Sequence, residues 1–140
     1  MKKAIFLAGL ALLLVLAGCA QSKVAIDQYT WQLETVQSGE DGAVIACGQE
    51  LAKTYPQAEV VHVTCTAQNG VLTLTDNAGQ AYTGSYSLAD VSPDGEIYTL
   101  QINGVEGYAG CAMTTYSDGR QEPTLAVSLD GYALMLKGQD

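Results

Sequence analysis

The side chains that could carry out catalysis are few, and their spacing matches no known catalytic arrangement. His62 is the only histidine in 140 residues, and it lies in a run of strand-forming residues, 60–64. No serine occupies the Gly-x-Ser-x-Gly pattern that presents a nucleophile on a tight turn. A Ser–His–Asp triad would need this single imidazole to meet both partners. We therefore expect no enzymatic activity and assign no catalytic residue.

The cysteines beyond position 19 number three, so at least one must be unpaired within the chain. They are Cys47, Cys65 and Cys111. An exported domain can form disulfides, and the candidate pairing is Cys47 with Cys65. The alternative is that all three are buried free thiols, because free cysteine is among the most buried residue types. Both alternatives stay open at this point.

Carboxylates dominate the charge of the chain. There are 15 Asp and Glu residues against 6 Lys and Arg, which gives a net charge of −9. Most of these carboxylates lie in turns, where Asp is favoured by local hydrogen bonds, and no calcium-binding loop pattern occurs. One histidine and scattered cysteines do not give the spacing of a zinc site. We expect no metal, no cofactor and no nucleic-acid partner, since phosphates would be repelled.

The aromatic residues are the best candidates for contacts with a ligand. The only phenylalanine is Phe6, so the rest of the chain relies on Trp31 and eight tyrosines. A buried tyrosine usually needs a hydrogen-bond partner for its hydroxyl. One interpretation is plain core packing. The other is an interior open at one end, in which case Trp31, Tyr82 and Tyr86 are predicted to line a ligand pocket.

The first nineteen residues carry a processing pattern. Lys2 and Lys3 precede an apolar run at 4–16, and Leu-Ala-Gly-Cys follows at 16–19. The run is shorter than the roughly 20 residues that a spanning helix needs and has the length of a signal-peptide core. The pattern resembles bacterial lipoprotein precursors. That resemblance implies cleavage before Cys19, a diacylglyceryl group on its sulfur, and lipid anchoring at the extracytoplasmic face of a cell membrane.

The same pattern divides the chain into three parts. Residues 1–18 are predicted to be a signal peptide, 19–28 the lipidated cysteine and its tether, and 29–140 one domain, a number that fits the length. Because two lysines leave with the signal, the net charge falls from −9 by two units, to −11. Ala20 follows the cysteine, where Asp would indicate inner-membrane retention. An outer-membrane location and a Gram-positive plasma-membrane location both stay open.

Beyond the tether, short strand-like segments alternate with tight turns. Asn-Gly and Asp-Gly pairs, which supply the positive φ of tight hairpins, recur between segments rich in Val, Ile, Leu, Thr and Tyr. The predicted strands are 29–36, 43–47, 59–67, 71–75, 81–88, 96–102, 106–116, 123–129 and 132–137. After Cys47 we predict one helical turn within 49–55. Short, regularly spaced strands indicate an all-β antiparallel barrel or sandwich.

Several of these segments resemble small lipocalin-like lipoproteins of Gram-positive bacteria. They are residues 31–33 (Trp-Gln-Leu), 82–86 (Tyr-Thr-Gly-Ser-Tyr), 113–119 (Met-Thr-Thr-Tyr-Ser-Asp-Gly), 123–125 (Pro-Thr-Leu) and 130–134 (Asp-Gly-Tyr-Ala-Leu). The resemblance implies a small antiparallel up-and-down barrel of eight or nine strands and no established activity.

Two functions are compatible with these observations. The first is binding of a small amphipathic ligand inside the barrel, neutral or cationic because the domain is strongly acidic. The second is contact with a protein partner of the cell envelope, as an inhibitor or an interaction module with a filled barrel. A Tyr-lined cavity open at one rim would favour the first function. A filled interior with an exposed apolar patch would favour the second.

Overall fold

The computed structural model describes residues 24–139, which form a closed eight-stranded antiparallel β-barrel with two additional short strands. The strands are β1 (Thr30–Ser38), β2 (Val44–Cys47), β3 (Glu59–Val60), β4 (Thr64–Gln68), β5 (Val71–Thr75), β6 (Ala81–Val91), β7 (Glu96–Ile102), β8 (Val105–Thr115), β9 (Gln121–Leu129) and β10 (Tyr132–Gln139). Short 3₁₀ helices lie at Ile26–Gln28 and Gln49–Leu51. The predicted all-β class, the antiparallel barrel and the helical turn after Cys47 are confirmed.

The ring runs in the order β10-β9-β8-β7-β6-β5-β4-β1, and β1 pairs with β10 to close it. β2 pairs with the second half of β1, and β3 pairs with β2 in parallel. The single strand predicted at 59–67 is wrong, because the chain there forms both β3 and β4. Between them Val61 donates to the carbonyl of Cys47 and Val63 accepts from Leu33, so the chain changes partner and the ladder is interrupted.

Tight two-residue turns set the register of three hairpins. Each has Asn or Asp at φ 52° followed by Gly at φ 77–81°, the conformation of the hairpin turns that suit twisted strands. The three turns are Asn69-Gly70, Asn103-Gly104 and Asp130-Gly131. Each of these turns joins two strands that are neighbours in the ring, and from β4 to β10 the strands follow one another around the barrel in sequence order.

The barrel interior is packed with apolar side chains supplied mainly by alternate residues of the ring strands other than β6. The buried ring residues are Trp31, Leu33, Cys65, Ala67, Leu72, Tyr98, Leu100, Ile102, Ala109, Cys111, Leu125 and Leu136. The register places Leu125 of β9 opposite Leu136 of β10, and Tyr86 of β6 opposite Leu100 of β7. On seven of the eight ring strands one face is thereby removed from water, which is the main source of stability in such a fold, whereas β6 is largely exposed and contributes only the half-buried Tyr86 to the core.

Residues 24–28, which were predicted to belong to the tether, are part of the packed domain. We call them the strap. Val24 and Ile26 are each 1% exposed and lie in the core. Their alternation places both side chains at the end of the barrel where β1 begins, and Val24 also bridges to Gly95 in the turn between β6 and β7. The domain boundary predicted at residue 29 is therefore too late.

Hydrogen bonds fix the strap to three core side chains. The Trp31 indole nitrogen donates to the carbonyl oxygen of Ile26 at 2.7 Å, and the Ile26 amide donates to the Tyr98 hydroxyl at 3.1 Å. The Cys111 thiol donates to the carbonyl oxygen of Val24 at 3.0 Å. Buried polar groups are costly unless they are paired, so these contacts explain how a polar backbone can close an apolar barrel end.

Two glycines of β8 make a matched test of the packing. A Cβ on Gly107 would lie 2.6 Å from the Ser128 carbonyl oxygen, whereas a Cβ on Gly110 would meet no atom within 4 Å. We expect Gly107→Ala to destabilise the fold by roughly 1–3 kcal/mol through overpacking. Gly110→Ala should be neutral or stabilising by up to about 1 kcal/mol, since Gly is unfavourable within a strand. Urea denaturation of both variants measures the difference, and equal midpoints would contradict this account.

Candidate functional site

The barrel encloses almost no free space. The cavity at its centre has a volume of about 20 Å³ and is lined only by apolar residues of the strap and the ring strands. A single water molecule needs roughly 10–15 Å³ and polar partners, and ligand pockets occupy roughly 300–1,000 Å³. The interior described by residues 24–139 is therefore a filled core, with no room for an amphipathic ligand.

The three residues predicted to line a pocket do not come together at one. Trp31 is completely buried, and Tyr29 packs edge-on against its indole at 5.5 Å between ring centroids. Tyr86 is half-buried and packs edge-on against Tyr98 at 5.6 Å. Tyr82 lies four residues away along β6 and is 39% exposed. Of the two interpretations of these aromatics, core packing is the one that fits Trp31 and Tyr86.

The predicted Cys47–Cys65 bridge is absent, and all three described cysteines are free and buried. Cys65 pairs with Trp31 on β1, whereas Cys47 pairs with Thr35 on the same strand. Four residues of strand separate these positions by about 13 Å. A disulfide requires Cα atoms within about 7 Å, so the register of β2 and β4 along β1 excludes this pairing.

The buried thiols are expected to be chemically silent in the native protein. Burial raises the pKa of the Cys65 thiol to about 12 and also raises the pKa of Cys111. Because the thiolate is the reactive form, we expect Cys65 and Cys111 to resist a disulfide reagent such as Ellman's at pH 8. Cys47 is 0% exposed, so the reagent should not reach it either. All three should react once the protein is unfolded in denaturant. Rapid reaction of one thiol in the folded protein would show that its strand opens locally.

A groove on the outer surface lies beside a partly buried charge, that of Glu34. We call it the Glu34 groove; its volume is about 260 Å³, and its lining includes Leu33, Glu34, Glu50, Leu51 and Lys137. Glu34 keeps the outward position of the alternation along β1, at the point where the pairing with β10 shifts register between Leu33 and Thr35. The amide of Gly48 donates to the Glu34 carbonyl at 2.9 Å and holds the chain before Gln49–Leu51 against this part of β1.

The electrostatics of the Glu34 groove are dominated by carboxylates. Burial raises the pKa of Glu34, and the positive charge of Lys137 opposes that shift. Lys137 is itself engaged by Glu50, with 3.2 Å between Nζ and Oε2, and this hydrogen bond raises the pKa of Lys137. Among residues 24–139, Glu34 is in no ion pair. The groove therefore presents a partly desolvated carboxyl group near Leu51.

An exposed apolar surface lies on the outside of β7, β8, β9 and β10. We call it the outer apolar face and define it by Ile97, Tyr108, Gly110, Ala126 and Met135. Ile97 pairs with Gly110, Gly110 with Ala126, and Ala126 with Met135, so four of the five form one row across four strands. Tyr108 is 54% exposed and Ile97 and Met135 are 38% and 37% exposed. Large apolar side chains in a contiguous exposed group often mark an interaction site.

The remaining features that bear on function are metal ligands, the single histidine and membrane-spanning helices. In the chain from 24 to 139 no three His, Cys, Asp or Glu side chains come together to hold a metal ion. His62 is exposed and lies between β3 and β4. Helices long and apolar enough to cross a membrane are likewise absent from the part of the chain that the structure describes. The lipidation site predicted at Cys19 lies outside the described residues.

Comparisons with family models, with curated proteins and with solved structures find no match to this chain. The resemblance to lipocalin-like lipoproteins therefore stays a prediction, while the eight-stranded barrel is observed directly.

Proposed function

We propose that this chain is a lipid-anchored protein of the extracytoplasmic membrane face, and that it acts as a non-enzymatic interaction module through the outer surface of its barrel. The observation that carries the proposal is the filled interior, with a central cavity of only about 20 Å³. The sequence Leu-Ala-Gly-Cys at 16–19 supports the anchor. Exposed apolar side chains on β7, β8 and β10 support contact with an envelope protein.

The strap constrains how such a module would sit at the membrane. Because Val24 is packed into the barrel, only five residue-to-residue steps separate the barrel from Cys19. Fully extended, five steps reach at most about 18 Å. The barrel end that holds the strap is thus kept close to the lipid surface. The opposite end, where β1 finishes beside Tyr132, points away from the membrane.

The proposal that the interior takes no ligand can be tested with small apolar probes. Neither xenon nor lauric acid should shift the methyl NMR signals or raise the melting temperature of the wild-type domain. Leu100 is 1% exposed, so Leu100→Ala should open an apolar cavity, and xenon should then bind, as it does in dry engineered cavities. Saturable one-to-one binding of lauric acid to the wild-type interior would contradict the proposal and restore the ligand-carrier function.

A second candidate function is binding of a small amphipathic cation, in the Glu34 groove instead of the barrel. The specific observation is a groove of about 260 Å³ that combines the apolar Leu51 with the carboxyl group of Glu34. The negative net charge of the chain favours cations over anions. An aromatic or alkyl amine fits this chemistry, with its ammonium group at Glu34 and its apolar part against Leu51.

This second candidate is tested with phenethylammonium as the probe and benzoate as its anionic counterpart. Phenethylammonium should shift the backbone NMR signals around Leu33 and Leu51, and Glu34→Gln should weaken that binding at least tenfold. The substitution should not destabilise the fold at pH 7, because burial raises the pKa of Glu34 and so disfavours its charged form. Glu40→Gln, in the exposed turn after β1, is the matched control. Equal binding by both variants would eliminate the groove as the site.

A further inference from the structure

The outer apolar face contains a glycine that the fold itself does not require. Gly110 lies in the middle of β8 between Ile97 and Ala126, and its φ is not positive. A side chain there would meet no atom of the described chain within 4 Å. Glycine in the interior of a strand usually marks a bulge or a close approach by another backbone or a ligand. No described part of this chain makes that approach on the outer side.

The missing side chain creates a shallow depression bordered by larger apolar groups. Ile97 stands on one side of Gly110 across the sheet, and Met135 stands two strands away on the other side. Tyr108 precedes Gly110 by two residues and so lies on the same outer surface. Ser128 and Thr124 are each two residues from Ala126 along β9, so they lie on the same outer surface and provide a polar margin. An apolar centre with a polar margin is the usual anatomy of a protein contact.

Uncompensated negative charge lies at the edge of this surface. Asp90 pairs with Ile97 on the neighbouring strand, and Glu106 accepts a hydrogen bond from the Tyr108 hydroxyl at 3.3 Å. Neither carboxylate is in an ion pair with another residue of the range 24–139. Arg120 contacts Asp118 and Glu122, and Lys137 contacts Glu50. Arg120 and Lys137 are thus engaged by other carboxylates.

These charges decide between two occupants of the face. A second copy of the chain would bring like charge, a net −9 for the whole sequence and −11 once Lys2 and Lys3 leave with the proposed signal peptide, and like charges across an interface are unfavourable. We propose that the outer apolar face is a docking site for a partner protein that inserts an apolar side chain over Gly110 and surrounds it with Lys or Arg. This inference rests on the proposed interaction function and adds the surface and the chemistry of the partner.

The chemistry of the partner is tested with two defined peptides. A seven-residue peptide of alternating Lys and Leu is titrated into the isotope-labelled domain, and the matching peptide of Glu and Leu serves as the control. The Lys peptide should shift the amide signals of Ile97, Gly110 and Ala126, with little change on β4. Gly110→Gln should weaken this binding at least tenfold while leaving the melting temperature unchanged. Thr66→Gln, on the exposed side of β4, should leave binding unchanged.

Three results of that titration would overturn the proposal. They are equal binding of both peptides, shifts spread evenly around the barrel, and unchanged binding by Gly110→Gln. The titration does not depend on the lipid anchor, since it uses the folded domain from the strap onward. Failure of anchoring and failure of the docking site are therefore seen separately.

The occupant in the cell is tested with the full chain and a photoreactive amino acid at position 126. Irradiation of intact cells should give one adduct with a basic protein, and Gly110→Gln should abolish it. The same photoreactive group at position 66 should not give this adduct. An adduct of twice the mass of the chain would identify a second copy as the occupant and overturn the proposal. The absence of any adduct at position 126 would overturn it as well.

Discussion

Cys19→Ala is expected to abolish the mature, membrane-anchored form of the protein. Without the sulfur proposed to accept a diacylglyceryl group, the chain should either appear in the soluble fraction or remain as a precursor that retains residues 1–18. The effect should be large, because acyl chains contribute about 0.8 kcal/mol per buried CH₂ and two chains give a stable anchor. No interaction of the described barrel could replace an anchor of that strength.

Mass spectrometry of the mature N-terminal peptide measures this result directly. The wild-type peptide should begin at Cys19 and carry the mass of its acyl groups, and Gln21→Ala should behave identically as the matched control. Fractionation of cells then compares membrane-bound and soluble protein for both variants. An unmodified wild-type N-terminus downstream of residue 19 would eliminate the lipoprotein part of the proposed function.

Trp31→Ala is expected to lower the free energy of unfolding by roughly 3–5 kcal/mol, the range for truncating a large buried aromatic. Trp31 is completely buried, packs against Tyr29 and donates from its indole nitrogen to Ile26. Its removal therefore leaves a cavity and also leaves the strap carbonyl without its donor. Marginally stable domains have total stabilities of only about 5–15 kcal/mol, so this variant should be close to unfolding.

Two further variants separate the contributions of packing and hydrogen bonding. Trp31→Phe keeps much of the ring and loses the donor to Ile26, so it should cost roughly 1–3 kcal/mol. Gln32→Ala, the next residue on the outward side of β1, should change stability by less than about 0.5 kcal/mol. Circular dichroism during urea denaturation suits all three variants, since two of them lack the only tryptophan. A midpoint of Trp31→Ala equal to wild type would mean that the indole contributes nothing to the core.

Residue alternation and turn chemistry were sufficient to predict most of the barrel. The strands at 71–75 and 96–102 were predicted with their observed bounds, because an Asn-Gly turn marks one end of each strand and alternate residues along the strand are apolar. The break within 59–67 could not be predicted, since it arises where the chain leaves β2 and joins β1. Such a change of partner depends on tertiary pairing and leaves no mark on local composition.

The candidate sites were predicted less well, for reasons that are also physical. The Glu34 groove depends on how the segment from Gly48 to Leu51 lies against β1, and that tertiary contact leaves no signal in the local sequence. The strap was missed because Val24 and Ile26 are only two apolar residues, too few to establish a period. Gly110 is the exception: a glycine between strand-forming residues was visible in the sequence and could have drawn attention to the outer face.

The strap also determines where a pulling force would enter this protein. If the lipid anchor is held and a bound partner moves away, the tension reaches the fold at Val24 and Ile26, inside the core, and not at a surface loop. Extraction of the strap would have to break the hydrogen bonds to Trp31, Tyr98 and Cys111 together. Mechanical load on the anchor would thus act directly on the folding equilibrium, and a soluble version beginning after residue 28 would lack this coupling.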